Sequence, residues 1–290
     1  MSLFYVGVCG PADTGRYNPL CRHWPNGSVQ AQKNVRCMPL WRIPVALRWL
    51  LIVVLLGHAP RLTADTGVSA VFTTNYIYRG YSKSNDQPVA QANVEHSRDN
   101  GVYAGLWASM VNFGDSDYPD SAPAEINPYL GWMTELSGGW RGEMAVQGYV
   151  YAGKIEGETS NYAEFQLATH YQDWLSARWA YAPSAYGREA STFAYELLGR
   201  YTVMDTLQAS VSVGLNQAVE LLDQNYPYWS AGITWYPWRF LALDARYVDS
   251  GLRESAAGSH GNYFVARPLD NTYLITVTVG GNVLLDLITR

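Results

Sequence analysis

Between Gly67 and Val279 the chain is a succession of stretches whose side chains alternate in polarity, separated by turn residues. A period of two marks a strand with one apolar and one polar face. Residues 206–216, TLQASVSVGLN, show it plainly. Leu207, Ala209, Val211, Val213 and Leu215 fall on one face, and Gln208, Ser210, Ser212, Gly214 and Asn216 on the other. Two architectures satisfy such a pattern. A membrane barrel turns the apolar face outward, whereas a soluble sandwich turns it inward.

Charge divides the chain. Residues 1–64 hold 7 Lys/Arg and 1 Asp/Glu, which leaves 13 and 24 for residues 65–290, a net of −11 there. All three cysteines (Cys9, Cys21, Cys37) lie in the first part, so the second needs neither a disulfide nor a thiolate metal site. The second part carries 20 of the 22 tyrosines and 8 of the 11 tryptophans. Aromatics in such number suit a barrel girdled where lipid meets water, and also a Tyr-rich soluble β-protein.

The segment 38–64, MPLWRIPVALRWLLIVVLLGHAPRLTA, has the layout of a secretory signal peptide. Arg42 and Arg48 precede an unbroken apolar run from Trp49 to Leu56, too short to cross a bilayer as a helix. Small residues follow at Gly57, Ala59 and Ala64. Cleavage after Ala59 has small residues at both key positions, while cleavage after Ala64 leaves a neater strand start. Residues 1–37 show no helical or strand period, and the expectation is that translation begins at Met38. The alternative is a real extension with an uncleaved anchor. N-terminal sequencing of the natural protein decides between them, and a native chain beginning at Met1 excludes the later start.

Twelve strands are read: 67–81, 88–97, 101–112, 124–136, 140–151, 161–171, 174–182, 191–203, 206–216, 228–236, 239–248 and 271–279. Asn100-Gly101 after a strand is a strong hairpin signal. Longer loops at 113–123, 152–160, 183–190, 217–227 and 249–270 alternate with short turns. That rhythm, the even strand number and strand lengths of about nine or more residues fit an outer-membrane barrel. The fold expected is all-β: a transmembrane antiparallel up-and-down barrel over 65–280, followed by a short tail, 281–290.

With the apolar face in lipid, the opposite face lines a lumen. The candidate pore-lining residues are Arg79, Glu95, Glu125, Glu135, Glu143, Glu164, Arg178, Glu196, Arg200, Asp244 and Arg246. Charges facing hydrocarbon are costly, so their collection on one face supports the assignment. They either line a water-filled channel and set its ion preference, weakly toward cations, or pair across a plugged lumen and hold the barrel together. The expected partners are outer-membrane lipid, small polar solutes or ions, and the barrel-assembly machinery during insertion. Enzyme signals are weak. His96, His170 and His260 sit in no HExxH pattern, and no GxSxG motif is present. There is no phosphate loop, no cofactor motif, and no basic tract for nucleic acid.

One stretch carries a more specific pattern: NYIYRGYSKSNDQPVAQANVEHSRDNGVYAGLWASMVNFGD, from Asn75. Tyr78-Arg79-Gly80, Ser82, Pro88-Val89-Ala90-Gln91, Gly101 to Trp107 and Asn112-Phe113-Gly114 resemble the TorF family of proteins assigned as porins, also catalogued as Gcw_chp, a bacterial family of uncertain function. Glu125, Tyr129, Gly131 and Trp132 match its next segment. The similarity is strongest over about 70–135. It implies a secreted barrel of the bacterial outer membrane, and neither a transported solute nor a catalytic set. Arg79 is the matching residue of most interest. With Tyr78 facing out and Arg79 facing in, it would sit near a rim and pair with a lumen carboxylate; otherwise Arg79-Gly80 starts a tight loop. One departure stands out. Outer-membrane barrels commonly finish on a strand with a terminal aromatic used in assembly, whereas here GGNVLLDLITR follows Val279.

Overall fold

The computed structural model describes residues 66–114, 118, 120–254, 264–269 and 271–280. The expected leader and extension, 1–64, and the tail, 281–290, lie outside the described residues, as does His260.

Twelve strands close into one antiparallel barrel. In chain order they are β1 (Thr66–Thr73), β4 (Val89–Ser97), β5 (Val102–Met110), β6 (Ala124–Glu135), β7 (Trp140–Tyr151), β8 (Tyr162–Tyr171), β9 (Leu175–Ala182), β10 (Thr192–Met204), β11 (Leu207–Ala218), β12 (Gln224–Trp238), β13 (Leu241–Ser250) and β15 (Thr272–Gly280). Each pairs with its sequence neighbour in the wall, and β1 closes on β15. Full closure leaves no open strand edge, which hydrocarbon does not tolerate.

The alternation read from the sequence sets the faces. On β6, Leu130 is 59% exposed and Tyr129 only 5%. On β11, Val211, Val213 and Leu215 face out while Ser210, Ser212 and Asn216 are buried. Aromatics gather outside at both ends. Trp140, Tyr171 and Trp174 form a contact row beside the short turns, with centroids 4.9 and 5.6 Å apart. Toward the long loops, Trp229, Tyr247 and Tyr273 form another, at 5.0 and 5.4 Å. Two such girdles around an apolar band are what a membrane-spanning barrel presents to lipid headgroups.

Inside the wall, tyrosines lie over cross-strand glycines. Tyr129 is in register with Gly105 and Tyr103 with Gly131. A Cβ at either glycine would run into the partner's ring. The missing side chains let two phenols lie flat along the lumen face.

The first strand departs from expectation. It ends at Thr73, not at residue 81, and Thr73 pairs directly with Val89 of β4. The intervening residues leave the wall and fold back into the lumen. There β2 (Ile77–Tyr78) and β3 (Tyr81–Ser82) form a small sheet with β14 (Arg267–Pro268). The alternation breaks at Thr73-Thr74-Asn75, and Asn75 then organises the segment. Its Oδ1 accepts from the Ser82 and Ser84 hydroxyls at 2.7 and 2.9 Å, and its Nδ2 donates to Asp86 at 2.8 Å. Between Tyr78 and Tyr81 the two-residue turn Arg79-Gly80 has φ of 45° and 82°. Two positive φ values make a tight hairpin turn of the primed kind, for which Gly is the natural second residue. The Gly80 carbonyl accepts from Ser250 Oγ at 2.7 Å, docking the turn on β13. Tyr78 therefore does not face out; it is 3% exposed, within the lumen.

A second difference lies at 217–227. There β11 runs to Ala218, a single helical turn α1 (Val219–Leu222) tucks Leu221 and Leu222 into the barrel mouth, and β12 begins at Gln224. Pro227 stays in the strand near its end, with its ring outward and its carbonyl accepting from Gly251 N–H at 2.8 Å. A proline is tolerated where the ladder is ending.

Candidate functional site: the charged lumen and its plug

The segment from Thr74 to Pro88 plugs the barrel at the end carrying the long loops. Its cations are the centre of the arrangement. Lys83 is fully buried; its Nζ donates to Glu125 Oε2 at 2.8 Å and to the Tyr151 hydroxyl at 3.0 Å. The ammonium also lies 4.1–5.6 Å from the ring centres of Tyr76, Tyr78, Tyr149, Tyr151 and Tyr186. Aromatic faces carry negative potential, so this is a cage suited to a desolvated cation. Burial pulls the Lys83 ammonium below the ordinary lysine value, while Glu125 favours its charged form. Burial likewise pushes the Tyr76, Tyr81 and Tyr186 hydroxyls well up, so they act as neutral hydrogen-bonding groups.

Arg79 makes the second pair, at 2.7 Å from Glu164 Oε2. Glu164 is fully buried and also accepts from Tyr78 Oη at 3.3 Å and Gln166 Nε2 at 2.9 Å. Tyr81 and Tyr186 share a hydrogen bond of 2.6 Å, and Tyr186 stacks on Phe264 at 3.8 Å. The described end of the long loop 249–270 therefore turns inward, burying Phe264, Ala266 and Leu269.

Below the plug the lumen stays polar. Arg178 pairs with Glu196 at 3.0 Å. Arg246 pairs with Asp244 at 2.6 Å and reaches Ser230 and Ser210. Glu143 accepts from Tyr103 and contacts His170 Nε2 at 2.9 Å; His170 Nδ1 meets Ser176 Oγ at the same distance. Glu95 accepts from Tyr129 at 2.9 Å. A cavity of about 30 Å³ lies among Glu143, His170, Ser176, Arg178 and Glu196. Of the other candidates, Arg200 is half-buried on the inward face of β10. Glu135 lies exposed at a short turn, in register with Arg141.

Ten of the eleven candidates thus come from wall strands, and Arg79 alone from the plug. Lys83 escaped the sequence reading because it lies in the stretch 82–87, between the first two strands read, where no alternation marks a face. The available signal was a first strand of 15 residues, long for this chain, with Thr74 falling on its apolar face. The Ser176–His170–Glu143 relay was missed as well, since it joins β7, β8 and β9 with no contiguous motif. The relay can hold or pass a proton. Among the described residues no group of three or more His, Cys, Asp or Glu is placed to hold a metal ion.

A closed antiparallel barrel with an apolar exterior, two aromatic girdles and a charged interior is an outer-membrane β-barrel. Residues 59–279 match the Gcw_chp family, described as bacterial proteins of unknown function, and the chain belongs to that family. No curated protein matches it in sequence. Among solved structures it is similar to the KdgM porin, at 9% identity and a TM-score of 0.47, over 73% of this chain and 98% of that one. The COG4313 outer membrane channel from Pseudomonas putida F1 gives 11% and 0.45, over 78% and 98%. The NanC porin gives 8% and 0.43, over 74% and 98%. At these scores the likeness carries no argument, and the class rests on the barrel's own geometry.

Proposed function

We propose that the protein is a non-enzymatic, porin-type channel for small polar solutes or ions, closed at its long-loop mouth in this conformation by the segment 74–88. The observation that carries this reading is the charged lining below the plug, from Glu143 and His170 to Asp244 and Arg246. A barrel needed only as a scaffold is more simply filled with apolar side chains, because each buried charge costs desolvation. Passage requires the plug to shift. The pairing of Thr73 with Val89 makes such a shift compatible with an intact wall.

A second reading, a non-conducting structural or adhesive barrel, is favoured by one observation: Lys83, Glu125 and Glu164 are wholly enclosed. Planar-bilayer recording separates the two. Wild-type protein is compared with a variant in which residues 74–88 are replaced by a short Gly-rich turn. Rare openings in the first and stepwise, cation-favouring conductance in the second are expected. Silence from both, where a control porin conducts, would favour the scaffold.

A further inference from the structure

We propose that the wall at the long-loop mouth is a binding site for organic ammonium ions, linear polyamines among them, and that Lys83 and Arg79 occupy it as tethered stand-ins. As the substrate class of a channel this rests on the reading above; as a binding site it stands on the side chains alone. With the plug withdrawn, the wall still presents the Glu125 carboxylate on β6 and the Glu164 carboxylate on β8, with Tyr149 and Tyr151 of β7 beside them and Tyr186 on the loop after β9. Two carboxylates among aromatic faces make poor partners for small inorganic cations, which hold their hydration shells and prefer a full oxygen shell. They suit an alkylammonium, whose N–H groups take the carboxylates and whose methylenes lie along the rings.

A further polar atom points the same way. Asn127 is fully buried on the inward face of β6 and gives its Nδ2 to Glu125 at 2.8 Å. Its Oδ1 has no hydrogen-bond partner among the described residues. Lys83 divides its donors between Glu125 and Tyr151, and that acceptor is left over. A free ammonium ion, unconstrained by a backbone, is able to satisfy both groups. Withdrawal of the plug takes the counter-cations from Glu125 and Glu164, so a cation bound there favours the displaced state. The tether also makes the plug a strong competitor, because it holds its own ammonium at high effective concentration.

Equilibrium dialysis of labelled spermidine against detergent-purified, full-length protein tests this without requiring conduction. Arg79→Ala/Lys83→Ala should bind at least tenfold more tightly than wild type. Adding Glu125→Gln and Glu164→Gln should abolish the gain, and magnesium at equal charge should compete poorly. Equal binding by wild type and the double variant, or binding indifferent to the glutamates, would overturn the proposal. Should the double variant fail to fold, the single Lys83→Ala is refolded with and without n-butylammonium and followed by gel mobility. Recovery with the amine and not with sodium supports the site; no recovery with either refutes it. Amine binding by a barrel silent in bilayers would retain the site and discard the channel.

Discussion

Lys83 Nζ lies 2.8 Å from Glu125 Oε2, and neither side chain is reached by solvent. Removing one member of such a pair leaves the other charged and dry. Lys83→Met should therefore destabilise the barrel by about 3–5 kcal/mol, and Lys83→Met/Glu125→Leu should recover most of that loss. Urea titration in detergent, read by heat-modifiable gel mobility, gives both values. If the double variant were no more stable than the single, the two residues would not be acting as a pair.

The exterior makes a different demand. Leu130→Arg on the outward face of β6 should cost about 2–4 kcal/mol for insertion near the bilayer midplane. Ser212→Arg, pointing inward on β11, tests crowding of the lumen and not lipid exposure. Unfolding in lipid vesicles measures the first, and a cost under about 1 kcal/mol would contradict a lipid-facing β6.

The flat tyrosines depend on absent side chains. Gly105→Val should displace the Tyr129 ring and with it the hydrogen bond to Glu95. A destabilisation of about 1–3 kcal/mol is expected from forcing extra methyl groups into that space. The same substitution at Gly199, whose Cβ would meet nothing within 4 Å, should cost less. Parallel urea titrations compare the two sites.

Ion preference should follow the lumen carboxylates. In the plug-replaced variant, Glu143→Gln, Glu164→Gln or Glu196→Gln should each lower the cation-to-anion permeability ratio, read from reversal potentials in a salt gradient. Arg178→Gln should raise it. No change in any of these variants would place the conducting path elsewhere.

The wall was legible because its information is local. Each strand states its inner and outer face within its own residues, as Val211 and Ser212 do, and turn chemistry such as Asn100-Gly101 marks where it stops. The plug was not, because its partners are distant in sequence: Lys83 meets Glu125 42 residues on, and Tyr81 meets Tyr186 105 residues on. Arg79 was readable as a cation in need of a lumen carboxylate. Its actual surroundings required knowing that the chain leaves the wall after Thr73. Pro227 misled in the opposite direction, since a residue that usually marks a loop sits here within a strand.

The small sheet inside the lumen bears on how the cylinder is sealed. Among the described residues β1 and β15 meet over five pairs, Ser69–Gly280 to Thr73–Thr276. The segment leaving β1 and the segment entering β15 also bond to each other within, through Tyr81–Pro268 and Ser82–Arg267, and Arg267 reaches Asp86 at 2.7 Å. The closing seam is thus stitched from its inner side by residues flanking its two strands. The plug is therefore not free to move by itself: to leave the mouth it must part from Arg267–Pro268 or carry the approach to β15 with it.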